Sequence, residues 1–248
     1  ANQAIEPNEH PIQAIRSKPA SSIAVGTKLV RDGIASAFVS AGNTGAVLCE
    51  SFLTLGKIEG IQRPPLCGII HLTPATAVLL IDAGANIDCR PSFLVQFAQL
   101  GTIFAKGLLG ISSPRVGLLS NGEEEIKGNL LIRDSYQLLK KTNLNFIGNV
   151  EGQEIMRGKA DVIVTDGFTG NIVLKTMEGF VDTFQNLLGV ERALEADHQL
   201  QGAALAHYVE LASMVKRMDY KEYGGAYLLG INGNVVVAHG RSLAKAIK

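Results

Sequence analysis

The 248-residue chain is 46% hydrophobic and 19% charged, a balance that supports a large core and excludes an intrinsically disordered chain. Its 23 basic and 23 acidic residues cancel. That excludes a global field for nucleic acid or an anionic membrane, so any anion site must be built locally from a few cations and backbone amides.

The opening ANQAIEPNEHPIQAI has neither the basic start nor the apolar run of a signal peptide, and no apolar run approaches the roughly 18 residues of a membrane span. Cys49, Cys67 and Cys89 are scattered and odd in number. They argue against a disulfide framework or zinc site and for a reducing, cytoplasmic setting. Apolar runs predict strands at 35–40, 77–82, 115–120, 145–150, 161–165 and 234–239. Most are continuously apolar, as strands covered on both faces are. Helical patterns fall between them, for example at 92–108 and 130–141. This alternation predicts a three-layer α/β/α sandwich with a mostly parallel sheet, residues 1–248 forming a single domain. Residues 179–220 break the rhythm. Phe180, Phe184, Leu187 and Leu188, then Leu211, Met214, Val215 and Met218, fall at helical spacing and predict a helical hairpin projecting from the sheet.

In open parallel sheets ligands bind beyond the carboxyl ends of the strands. Ser40, Asp82, Asn121, Asn149, Asp166 and His239 all stand at predicted strand ends and lead into polar or glycine-rich turns. Two of these turns match: SAGNTGA, with Gly42, Asn43, Thr44 and Gly45, and TDGFTGN, with Asp166, Gly167, Thr169, Gly170 and Asn171. Glycine lets backbone amides at a helix N-terminus approach an oxyanion, and the Thr hydroxyl adds a donor. A single such turn is better explained by helix capping; two in one sheet favour phosphate or carboxylate. Neither turn is GxGxxG and no GxxxxGK[ST] occurs, against dinucleotide and P-loop chemistry. In NGEEEIKGN, spacing alone makes Lys127 a solvated lysine beside a capped helix whose acids favour the dipole. Asp166 is equally a helix cap or the orienter of a donor. A lone His239 is more often hydrogen-bonded structure than catalyst, and Asp82 with Asp88 is a weak metal pair. The three cysteines read as buried structural thiols.

SAGNTGA, IDAGANID, SPRVGLLSNGEEEIKGN, NFIGNVEGQEI, GKADVIVTDGFTGNIVLKTMEG, YGGAYLLGING and AHGRS occur in this order over nearly the whole chain. Together they closely resemble the phosphate acyltransferase family of bacterial phospholipid synthesis. The resemblance implies transfer of a long-chain fatty acyl group from acyl carrier protein to inorganic phosphate, the acyl phosphate then serving a membrane glycerol-3-phosphate acyltransferase. It implies an isocitrate/isopropylmalate dehydrogenase-like α/β/α fold, a homodimer, no metal and no cofactor. It carries over Lys127 and Asn171 as the catalytic pair, and adds Asn43, Thr44, Asp166, Thr169 and His239 with the flanking glycines as site-lining residues. The 179–220 hairpin becomes a candidate acyl path, with peripheral membrane or carrier contact near Lys216, Arg217 and Lys221, or alternatively a dimer-packing element. The family's first strand and its AVDAMGGD segment have no counterpart here, so one piece of the family's sheet is expected to be missing. Two rivals stand beside this reading: a short-chain acyl-CoA enzyme of phosphotransacetylase type, and a fragment that binds without turnover.

Overall fold

The computed structural model describes residues 1–73, 76–195, 212–213, 225–240 and 242. Among them the helices are α1 (Pro11–Ser17), α2 (Ser22–Arg31), α3 (Thr44–Leu55), α4 (Pro91–Leu109), α5 (Leu130–Leu139), α6 (Gly152–Ile155) and α7 (Gly167–Glu195). The strands are β1 (Phe38–Ser40), β2 (Leu66–His71), β3 (Ala77–Ile81), β4 (Val116–Leu119), β5 (Phe146–Val150), β6 (Val162–Val164), β7 (Ala226–Leu228) and β8 (Val235–Val237). They form one sheet in the order β1-β8-β7-β2-β3-β6-β4-β5.

Local chemistry starts the helices. Ser21, Asn43 and Asn129 each accept a hydrogen bond from the backbone N–H three residues on, which caps α2, α3 and α5. Helix α4 starts on Pro91 and stops at Gly110, which takes the left-handed conformation with φ of 67°. It is long and apolar enough to cross a membrane by length and composition. Yet Leu94, Phe97, Ala98 and Ala105 form a buried stripe packed on the sheet, the pattern of a core helix.

Strand alternation builds the layers. Leu79 and Ile81 of β3 and Val162 and Val164 of β6 pack against α4 and α5. Val78, Leu80 and Ile163 face the other way, against Ile155 of α6 and Val173, Leu174 and Met177 of α7. Helices α1, α2 and α3 cover the remaining half of the sheet, over Leu66, Leu228, Val235 and Val237. The result is the expected α/β sandwich.

All six predicted strands are present, shortened at their ends, and two more lie between them. Strand β2 follows Pro64 and Pro65 and contains Gly68, residues that depress a strand signal. Strand β7 has three residues in a glycine-bounded stretch, too few for periodicity. These two strands make the sheet mixed. Four pairings are parallel (β1/β8, β3/β6, β4/β6, β4/β5) and three are antiparallel (β2/β3, β2/β7, β7/β8). Strands β1 and β8 therefore run opposite to β3, β4, β5 and β6. The six polar strand ends do not gather on one edge as a uniformly parallel sheet would place them: Ser40 and His239 follow the reversed strands.

Helix α7 begins at Gly167, well before residue 179, and continues through Gly189. The first arm of the expected hairpin is thus the far half of α7. Lys216, Arg217 and Lys221 of its second arm lie outside the described residues.

Candidate functional site

The start of α7 is fixed by two acids. Asp166, buried at the end of β6, accepts from Thr169 N at 2.9 Å and from Thr169 Oγ1 at 2.8 Å, an N-terminal cap that occupies both carboxylate oxygens. Asp82, fully buried at the end of β3, accepts from Leu66 N (2.9 Å), Gly84 N (3.1 Å), Ala85 N (2.9 Å), Asn86 N (2.7 Å) and Asn86 Nδ2 (2.8 Å). Burial pushes its carboxyl above the usual aspartate range, and the donors offset part of that. The Asp82 oxygens are thus spent on folding the 83–86 turn. Helix α7 rests directly on that turn. A side chain on Gly170 would overlap the Asp82 carbonyl oxygen, and one on Gly167 would lie 2.7 Å from the Asn86 carbonyl oxygen. Both glycines of the DGFTGN turn serve this close approach.

The first GxTG turn is likewise bound into the fold. Gly42 N donates to Ser40 Oγ at 3.2 Å, and a side chain on Gly45 would meet Pro11 of α1. Asn43 Oδ1 accepts from Ala46 N at 3.0 Å, while its Nδ2 donates to the carbonyls of Glu6, Pro7 and Glu9 at 3.2–3.3 Å. Asn43→Ala should therefore cost about 1–2 kcal/mol, read as a fall in thermal midpoint of about 2–4 °C per kcal/mol. An unchanged midpoint would deny the cap its structural weight.

Between the inner face of α7 and the sheet lies a cavity of about 420 Å³. Its floor is apolar: Leu66, Ile70, Ala83, Leu174, Val181 and Val237. Its polar groups come from four distant parts of the chain: Thr44 from the first turn of α3, His71 from the end of β2, Asn171, Lys175 and Glu178 from α7, and His239 from beyond β8. Of the residues singled out from the sequence, the cavity thus gathers Thr44, Asn171 and His239. Asn171 is exposed and its side chain makes no hydrogen bond to a described residue, leaving its amide for a ligand. Gly84 holds it in place from below. With φ of 135°, Gly84 occupies a region that L side chains enter only under strain, and a Cβ there would sit 3.4 Å from Asn171 Oδ1.

Lys175 and Glu178 are the cavity's additional charged groups. Lys175 Nζ lies 2.6 Å from Glu178 Oε2, and His239 Nε2 lies 3.1 Å from the same oxygen. Their signal was available in the sequence: from Asn171 they fall at i+4 and i+7, one face of a helix. His71 also lines the cavity, and burial pushes its imidazole below the ordinary histidine range. The thiols stand apart from such chemistry. Burial pushes Cys67 upward, and burial, with Asp82 nearby, pushes Cys89 up to about 12.

Lys127 does not line this cavity. It stands exposed in the 121–129 loop beyond β4, its stem over Gly122, and makes no ion pair with a described residue. The neighbouring acids are not laid along a helix start as spacing alone suggests. Glu123 pairs with Lys159 at 2.7 Å and Glu125 with Lys140 at 3.0 Å. Gly128 N donates to Asn121 Oδ1 at 2.9 Å, Asn149 Nδ2 donates to the Glu124 carbonyl at 2.8 Å, and α5 starts only after its cap at Asn129.

Among known proteins, the family of fatty acid synthesis proteins matches residues 1–248. A phosphate acyltransferase of Dehalococcoides mccartyi is 57% identical over 246 residues, covering 99% of this chain and 71% of the relative. One of Desulforamulus reducens is 47% identical over 248 residues, covering 100% of this chain and 73% of the relative. Among solved structures, a phosphotransacetylase from Streptococcus pyogenes superposes with a TM-score of 0.57 at 16% identity, over 88% of this chain and 61% of that one. Another from Staphylococcus aureus gives 0.55 at 15%, over 90% and 63%. At such identity these two likenesses concern the fold alone.

Proposed function

This chain belongs to the fatty acid synthesis protein family, with phosphate acyltransferases as its relatives, and from that premise we propose that it moves a long-chain acyl group from acyl carrier protein to inorganic phosphate. The observation that carries this reading beyond the family is the two-sided cavity. Asn171, Lys175 and His239 stand around an apolar floor, so a thioester carbonyl and phosphate meet at the polar side while the acyl chain lies over Leu66, Ile70, Leu174 and Val181. Long ligand chains are held by apolar pockets with few polar anchors.

The chemistry asks little of the protein beyond placement. Phosphate is already ionised at neutral pH and needs no general base. One of its oxygens attacks the thioester carbonyl carbon, a C–O bond forms, the C–S bond breaks, and the carrier leaves as a thiolate that takes a proton from water. Holding the reactants together and stabilising the tetrahedral oxyanion are the main tasks. In this reading Asn171 Nδ2 donates to that oxyanion. Lys127, on its separate loop, keeps the catalytic role the family resemblance implies. The protein acts in the cytoplasm as a homodimer, and its product passes to a membrane acyltransferase.

The test mixes the protein with palmitoyl-acyl carrier protein and phosphate and traps acyl phosphate with hydroxylamine. Phosphate-dependent hydroxamate, lost in Lys127→Ala, is the expected result. Product from acetyl-CoA alone would replace the long-chain donor with a short one. No product from folded protein would reject acyl transfer by this chain.

A further inference from the structure

Along α7, Asn171, Lys175 and Glu178 turn to one side, into the cavity. Lys175 Nζ and His239 Nε2 approach the same Glu178 oxygen, at 2.6 and 3.1 Å. That shared oxygen is the telling feature. A carboxylate paired to one lysine alone is left unsatisfied when the lysine moves, at a cost that holds the pair shut. Glu178 still has His239 Nε2 at 3.1 Å when Lys175 leaves.

Exposure divides the cluster in the same way. The Lys175 side chain is 51% exposed, whereas Glu178 is 14% and His239 20% exposed. The lysine end is wet and exchangeable; the Glu178–His239 end is held. A half-exposed ion pair is weak, so a doubly charged anion entering the cavity displaces one shared carboxylate oxygen at little cost. Asn171 lies one turn before Lys175, and side chains spaced i, i+4 stand about 5–6 Å apart at their Cβ atoms. An oxyanion on Lys175 is then beside whatever Asn171 holds.

We propose that Lys175 is the cation that receives inorganic phosphate in this cavity, and that Glu178, tethered by His239, is the positioning residue that aims Lys175 and releases it to the phosphate. The proposal rests on the acyl-to-phosphate reading and adds the identity of the phosphate-binding group. The hand-over breaks no covalent bond and moves no proton.

The test is calorimetric titration of inorganic phosphate into the full chain, with kcat and KM for phosphate measured alongside. Lys175→Gln should weaken phosphate binding about tenfold or more, the loss of one charge-assisted contact, and Lys175→Arg should recover part of it. Glu178→Gln removes the competitor for Lys175. It should tighten phosphate binding by about two- to fivefold, the range of an exposed ion pair, while kcat falls because Lys175 is no longer aimed. Opposite signs for the two partners of one ion pair are the signature; a merely structural bridge would move both variants the same way. Equal weakening in both, no change in either, or no saturable phosphate binding by the unaltered protein would overturn the proposal. If phosphate binding shifts as stated but no acyl phosphate forms, the phosphate site stands and the acyl-transfer reading falls. If acyl phosphate forms equally well in Lys175→Gln, the reverse holds.

Discussion

Asp82→Ala is expected to lower the unfolding free energy by about 3 kcal/mol or more. The reason is the number of donors it would orphan. Four backbone N–H groups and one side-chain amide converge on its two oxygens within 2.7–3.1 Å. A buried donor left unsatisfied costs about 1–3 kcal/mol, and the losses are not additive because the turn relaxes. The effect reaches beyond the turn, since Gly167 and Gly170 seat α7 on the backbone of Asp82 and Asn86 and α7 carries Asn171, Lys175 and Glu178. Activity should therefore fall together with stability. Asp82→Asn keeps one accepting oxygen but turns an amide toward the remaining donors, and should lie between. Denaturant unfolding monitored by circular dichroism decides the matter; a loss below about 1 kcal/mol, the scale of a single ordinary hydrogen bond, would mean that the turn is not organised by this carboxylate.

Asn171→Ala is expected to do the opposite: leave stability intact and lower kcat by about 10²–10³-fold, the usual effect of removing one oxyanion donor. The side chain is exposed and makes no hydrogen bond to a described residue, and substitutions at such positions stay within about 0.5 kcal/mol in stability. The KM for phosphate should move little, because the donor acts on charge that develops only in the transition state. The measurement pairs steady-state kinetics with thermal unfolding on the same sample. A fall in kcat without a fall in melting temperature assigns Asn171 to the chemistry; an unchanged kcat removes it from that role. The contrast between Asp82 and Asn171, which lie on either side of the Gly84 contact, separates residues that build the cavity from residues that work in it.

The sequence by itself determined what depends on near neighbours. Six of the eight described strands were legible from apolar runs, because burial on both faces leaves no polar residue in the run. The capping roles open to Asn43 and Asp166 were legible too, since a side chain that reaches the N–H three residues on is a matter of spacing. The family followed from long ordered motifs. Two glycine turns were read as anion cradles, yet Gly45 and Gly170 are fixed by contacts with Pro11 and Asp82, partners that no local pattern announces. What only the tertiary structure decided is the company each polar group keeps. Strands β2 and β7, the one behind two prolines and broken by a glycine, the other too short to stand out, set β1 and β8 running opposite to β3, β4, β5 and β6. That reversal carries Thr44 and His239 across the sheet's face to meet α7, while Lys127 stands on another loop. Lys175 and Glu178 share a helix face with Asn171 by spacing alone, but only the fold brings His239, sixty-one positions beyond Glu178 in the chain, to the same oxygen. Hydrogen bonds within one helical turn are written in residue spacing; contacts between distant segments follow from strand order and direction, which the burial of the whole core selects.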